Sequence, residues 1–238
     1  MNKKQLALRI SGGILLGITA LVMIYYAYNL LIGAMNSIRP VLFCMVSVCV
    51  PMGAGAALIV LSVSNEAERR KFVCAVMWVL FGYYLLALFV TLVYSRIHFV
   101  TYIADHAFYR ANWSLMTNFV PLETIRLYIR CLLYDFIGTT IPISNLMGNV
   151  LMFMPMAVFL PCLFPSMRTF WRFLLLMMAI LVAVEALQLV LCCGSCDIDD
   201  VILNLSGTLL VYGLMHIQLI KRFLQKIYLL PLDAQSAA

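Results

Sequence analysis

The chain has 238 residues, 65% hydrophobic and 11% charged, with a net charge of +6 and a mean hydropathy of +1.02. A soluble domain is about half apolar and about a quarter charged, so a soluble enzyme and a nucleic-acid-binding protein are both excluded. An all-α, polytopic membrane helical bundle is expected, with the excess positive charge residing in loops.

Six apolar stretches are long enough to span a bilayer, at approximately 10–32, 40–63, 72–95, 145–165, 171–193 and 200–220. The first follows basic residues, as a signal peptide does, but it is too long and lacks a small-residue cleavage site, so it is read as a retained helix. Lysine and arginine set the orientation. With the N-terminus in the cytoplasm, the inner segments hold eleven cations (Lys3, Lys4, Arg9, Arg69, Arg70, Lys71, Arg168, Arg172, Lys221, Arg222 and Lys226) and the outer segments five (Arg39, Arg96, Arg110, Arg126 and Arg130). Both termini are therefore expected in the cytoplasm of a multi-pass cell-membrane protein. The connection from Arg96 to Ser144 and the loop from Cys193 to Asp199 then face outward.

The spans differ in what they carry. Asn29, Pro51, Gly53 and Gly55 in the first two suit helix packing. The outer connection is too long for a plain loop. From Glu123 to Tyr134 it has an amphipathic pattern, with Leu122, Ile125, Ile129, Leu132 and Leu133 on one stripe, and suits an interfacial helix. In the fourth span Pro155 and Pro161 are expected to bend or interrupt the helix, and Asn145 and Asn149 form a polar stripe at i and i+4. Beyond the sixth span, Lys221, Arg222 and Lys226 anchor a cytoplasmic tail over 221–238, disordered from Leu232 onward.

The chemistry concentrates in two places. Glu185 and Gln188 share a face inside the fifth span. Asp197, Asp199 and Asp200 precede the sixth, where Asp200, Asn204 and Gly207 share a face. A charge in hydrocarbon costs about 2.5 kcal/mol or more, so these groups are expected to be paired. The simplest arrangement has two antiparallel helices facing each other through Glu185, Gln188, Asp200 and Asn204. Glu185 is expected to face the interior, near Asn149 or Asn204, with Leu176, Met177, Ile180, Val184 and Leu187 left for lipid.

Such a cluster could hold a divalent cation, serve as acid and base on a lipid-linked substrate, bind donor groups of a ligand, or lock three helices together. No nucleophile–base pair is visible, so no catalytic residue and no cofactor is assigned. A metal remains an open question. His98 and His106 lie outside, and His216 near the inner surface. Among the eight cysteines, Cys44, Cys49, Cys74, Cys131 and Cys162 read as small hydrophobes. Cys192, Cys193 and Cys196 cluster, and Cys193 with Cys196 forms a C-x-x-C that suits a disulfide, free thiols or a thiol–disulfide oxidase. An oxidase needs a second pair, and only Cys131 is near the outer surface.

Four ordered motifs resemble the VanZ-like family: Asn118-Phe119-Val120-Pro121-Leu122; Asn149 through Phe153 to Pro155; Glu185-Ala186-Leu187-Gln188; and Asp197 through Asn204 to Gly207. Thr91, Leu92 and Arg96 are also similar. The resemblance covers roughly Tyr84 to Gly213. It implies two N-terminal helices outside the family over 1–71 and a VanZ-like membrane domain over 72–220. The family is named for a membrane protein linked to teicoplanin resistance in Gram-positive bacteria. The resemblance points to a cell-envelope protein whose partners are membrane lipids, with a lipid-tailed glycopeptide or a lipid-linked cell-wall precursor as ligand. An envelope enzyme is the alternative. Candidate ligand-binding or polar-core residues are Asn118, Asn149, Glu185, Gln188, Asp197, Asp199, Asp200 and Asn204. Where the family carries an arginine before the aspartates, Ser195 stands here, so Arg96, Arg126 and Arg130 are the expected cation partners, or Glu185 is neutral.

Overall fold

The computed structural model describes residues 2–31, 38–94, 111, 112, 114, 116–134 and 138–230, of which 30, 31 and 38–46 by backbone alone. Its described elements are overwhelmingly helical. They run α1 (Lys3–Leu31), α2 (Ile38–Ser62), α3 (Glu66–Phe89), β1 (Thr117–Asn118), α4 (Glu123–Tyr134), α5 (Thr140–Met152), α6 (Met156–Leu163), α7 (Phe170–Val190), β2 (Cys196–Asp197), α8 (Ile198–His216) and α9 (Gln218–Lys226). Among the described residues, five stretches are long and apolar enough to cross a membrane: Lys3–Asn29, Glu66–Tyr94, Thr140–Leu163, Phe170–Val190 and Ile198–His216. The expected span at 40–63 corresponds to α2, whose described apolar part is the shorter Ser47–Ser62. The chain is an all-α polytopic membrane protein.

Two compact units emerge, one of Met1–Ala87 with His216–Ala238, the other Leu88–Met215. In the first, α1 and α2 form a hairpin that closes at Gly12 and Gly55. A Cβ on Gly12 would lie 2.8 Å from Ile59 Cγ1 and 2.9 Å from the Gly55 carbonyl, the close backbone approach that small residues permit in membranes. At the start of α3, Arg69 donates to the Val63 carbonyl (2.7 Å) and the Tyr228 hydroxyl (3.2 Å), and Arg70 lies over the Tyr228 ring. The sixth expected span ends earlier than 220. Ile217 is extended (φ −64°, ψ 128°), and the cationic segment behind it, expected as a tail, forms α9. The tail beyond Leu230 lies outside the described residues.

In the second unit, α7 and α8 run antiparallel. Phe173, early in α7, stacks on Tyr212, late in α8, with ring centroids 4.2 Å apart, while Glu185, late in α7, bonds the amide of Asp197 just before α8. The buried stripe of α7 is Phe173, Met177, Leu181, Glu185 and Gln188. Met177, assigned above to lipid, is fully buried (0% exposed), because it stands two i+4 steps before Glu185. Trp171, Leu175, Val182 and Val190 cover the exposed side.

Pro155 interrupts the fourth span, which begins at Thr140. Pro155 has no N–H to give, so the break is bridged by tighter bonds: Met154 N–H to Leu151 O (3.3 Å), Met156 to Phe153 (3.0 Å) and Ala157 to Met154 (3.1 Å). Pro161 is accommodated inside α6. The end of α3 loosens into a π-helical turn over Val90–Tyr94.

Candidate functional site

The site is built where the chain before α4 meets the chain before α8. Thr117 and Asn118 pair in parallel with Cys196 and Asp197, and the Cys196 amide donates to Met116 O (2.8 Å). This ladder sets the Asn118 and Asp197 side chains side by side. Asn118 Nδ2 donates to Asp197 Oδ1 (3.1 Å) and to the Thr124 hydroxyl (2.9 Å), while Asn118 Oδ1 takes the Val120 amide (3.0 Å). The Thr124 hydroxyl in turn donates to Asp197 Oδ2 (2.6 Å). Asp197 also caps α8, accepting the Asp199 amide at 2.8 Å.

Asp199 is fully buried (0% exposed), and it caps α4 from the other side. Its two oxygens accept the backbone amides of Leu122 (2.5 Å) and Ile125 (3.0 Å). Leu122 has φ +67°, a left-handed conformation that costs a branched residue about 1–2 kcal/mol. Its bond to Asp199 holds it there. A helix N-terminus carries unsatisfied N–H groups and partial positive charge, so the start of α4 supplies Asp199 with both donors and favourable charge. Arg126 and Arg130 are exposed on α4, and the one ion pair among the described residues joins Arg70 to Glu66 (3.3 Å). Arg96, His98 and His106 lie outside the described residues.

The two helical pairs expected to face each other divide between two seams. Glu185 is buried (7% exposed) and accepts the Asp197 amide (3.1 Å). Gln188, one turn on, donates to the Leu92 carbonyl (3.1 Å), in the π-helical turn. Asp200 and Asn204 face α5 instead. Asn149 Nδ2 donates to Asp200 Oδ1. At Gly207, two turns below Asp200, the nearest atom to an added Cβ would be the Val150 carbonyl oxygen. Asn204 Nδ2 turns back to its own helix, to Asp200 O (2.8 Å), and Asn145 donates to Tyr128 on α4 (2.8 Å). Asn145 is exposed and Asn149 half-buried.

Sequence reasoning missed Thr124, Tyr128 and the Leu92 carbonyl. Thr124 sits at the second position of α4, where its hydroxyl bonds Asn118 and Asp197 instead of capping its own helix, so no capping pattern marks it. A backbone carbonyl gives no sequence signal at all. Among the described residues, no group of three or more His, Cys, Asp or Glu side chains is placed to hold a metal ion.

Cys192, Cys193 and Cys196 form no disulfide with one another, and the first two are buried. Burial, then the charges of Glu185 and Asp197, push the Cys196 thiol above its ordinary 9.0. The thiolate is the nucleophile. Alkylation of Cys196 at pH 8 is therefore expected to run slower than that of an unstructured cysteine peptide, with its rate still climbing above pH 9. Peptide mass spectrometry after timed iodoacetamide treatment checks this, and equal rates at pH 8 would contradict the placement of the two carboxylates. A weakly ionised thiol is a poor start for thiol–disulfide exchange.

The fold and these buried carboxylate and amide groups define a polytopic helical membrane protein with a polar network at its helix ends. A family model described as VanZ/LLP1 matches residues 80–221, more than half of the chain, and the chain belongs to that family. No curated protein and no solved structure matches it.

Proposed function

We propose that this VanZ-like protein sits in the cell membrane with both termini in the cytoplasm. There it binds a lipid, or the lipid tail of a teicoplanin-type glycopeptide, at the outward end of α4, α7 and α8, lowering susceptibility to the drug. The observation that supports this most is the setting of α4. Asp197 and Asp199 hold its first turn by three hydrogen bonds, while Leu127, Ile129 and Leu133 stand 45–72% exposed on its body. A helix with exposed apolar side chains and with Arg126 and Arg130 suits the boundary between headgroups and acyl chains, where a lipid tail and its polar end are met together.

Expression in a sensitive Gram-positive host tests the reading. The expected result is a raised inhibitory concentration for teicoplanin, with a smaller change for vancomycin, which carries no lipid tail. Leu133→Asp, an exposed position outside the polar network, is expected to weaken the effect without loss of folded protein. Unchanged susceptibility to the lipid-tailed drug at confirmed membrane expression would remove this reading.

A further inference from the structure

The last helix is seated from one side only. Ile217 turns the chain directly after the α8 span, so α9 begins beside the membrane surface at which α8 ends. Leu224 and Gln225, each 9% exposed, form its buried side. Beyond it Tyr228 has φ +65°, and the Leu229 and Leu230 amides both return to the Leu224 carbonyl (2.9 and 3.3 Å), a left-handed helix stop. Tyr228 is held there by Arg69 on its hydroxyl and by Arg70 over its ring. The rotation of α9 about its own axis is therefore set, and so is the side it presents.

That side carries two rows. Leu219, Phe223 and Ile227, at i, i+4 and i+8, are 78%, 58% and 37% exposed. Arg222 and Lys226, also four apart, are exposed and stand in no ion pair among the described residues. They precede Phe223 and Ile227 by one residue each, which places the cationic row along one edge of the apolar row. No acidic residue occurs between Asp200 and Asp233, so nothing in α9 or its flanking sequence offsets the two charges.

We propose that α9 is a binding site for anionic phospholipid, lying in the headgroup layer of the leaflet at which α8 ends. Leu219 and Phe223 reach the acyl boundary, and Arg222 and Lys226 meet the headgroup phosphates. Both rows are needed for such a surface: apolar side chains provide burial, and each cation adds attraction to an anionic leaflet. Attachment to a membrane span selects lipid over a protein partner, because the bilayer surface is already adjacent when α9 forms. The site is separate from α4, and it requires no lipid-tailed ligand.

Hydrogen exchange tests this, read by mass spectrometry on the full-length protein in nanodiscs of phosphatidylcholine, with or without phosphatidylglycerol. Amides over 218–226 are expected to exchange about ten-fold slower with phosphatidylglycerol present. The difference is expected to vanish in about 1 M NaCl, where charge acts over only about 3 Å. Arg222→Gln combined with Lys226→Gln is expected to lose the slowing at low salt. Lys3→Gln combined with Lys4→Gln is expected to keep it, which separates α9 from basic residues elsewhere. Leu133→Asp on α4 is also expected to keep it, so failure of the ligand reading above leaves this site standing. Equal exchange in the two lipids would leave the apolar row to a protein partner and overturns the proposal. Undiminished slowing in the Arg222 and Lys226 double variant, or loss of slowing in Leu133→Asp, overturns it too. If the double variant does not fold, the wild-type salt series decides, since slowing that persists in about 1 M NaCl is not electrostatic.

Discussion

Replacing Gly207 by alanine is expected to remove most of the folded protein, while Gly213→Ala on the same helix leaves the yield intact. A Cβ at Gly207 would run into the Val150 carbonyl oxygen and lie 2.9 Å from its carbon and 3.1 Å from Val150 Cγ1. Two of these atoms are backbone, so no rotamer change relieves the clash. The helices must separate, and separation pulls Asn149 off Asp200. Overpacking costs about 1–3 kcal/mol and occasionally more, and a clash with backbone belongs at the upper end. At Gly213 an added Cβ meets nothing within 4 Å, so only helix propensity acts, and alanine is favoured over glycine by about 0.8–1 kcal/mol. Monodispersity on size exclusion and the thermal midpoint in detergent read the difference. Two variants of equal stability would mean that α5 and α8 do not meet at this residue.

Asp199 carries the second large effect. Asp199→Ala is expected to cost about 2–4 kcal/mol, because two amides lose their acceptor and each buried unsatisfied donor costs about 1–3 kcal/mol. Asp199→Asn keeps one acceptor oxygen, so the stability order should be wild type, then Asn, then Ala. A local readout separates this from general loosening. Hydrogen exchange at the Leu122 and Ile125 amides should accelerate ahead of the rest of α4, since those two N–H groups are the ones bonded to Asp199. Leu122, released from its positive φ of 67°, would relax, and the first turn of α4 would fray. Slow exchange at both amides in the alanine variant would contradict the capping role.

The apolar spans and the amphipathic 123–134 helix are legible from residue type, because length and periodicity are the physical requirements for crossing or lying on a bilayer. Pro155 is legible as a break for the same reason: it lacks the donor a helix needs. The partners of the acids are less so. Arginines are the partners that a sequence offers to the acidic cluster, since side-chain charge can be seen in it. At Asp199 the donors are the amides of Leu122 and Ile125, and an N–H has the same spelling in every residue but proline. Gln188 and Leu92 illustrate the same limit from the acceptor side. Met177 shows a different one: a span apolar all round does not announce which stripe is buried, and only the polar groups at Glu185 and Gln188, extended back by i+4 steps, would have marked it.

The parallel pairing of Asn118 with Asp197 joins segments 79 residues apart, which matters during synthesis. At about 5–20 residues per second, α4 leaves the ribosome several seconds before the aspartates that will cap it. Through that interval Asn118 has only the Thr124 hydroxyl among its native acceptors, Thr124 and the first turn of α4 lack theirs, and Glu185 enters the bilayer before the Asp197 amide exists. The last span therefore completes the network, and a chain that stalls or is cut before Asp197 leaves Thr124 and the first turn of α4 without the acceptors they have in the finished protein.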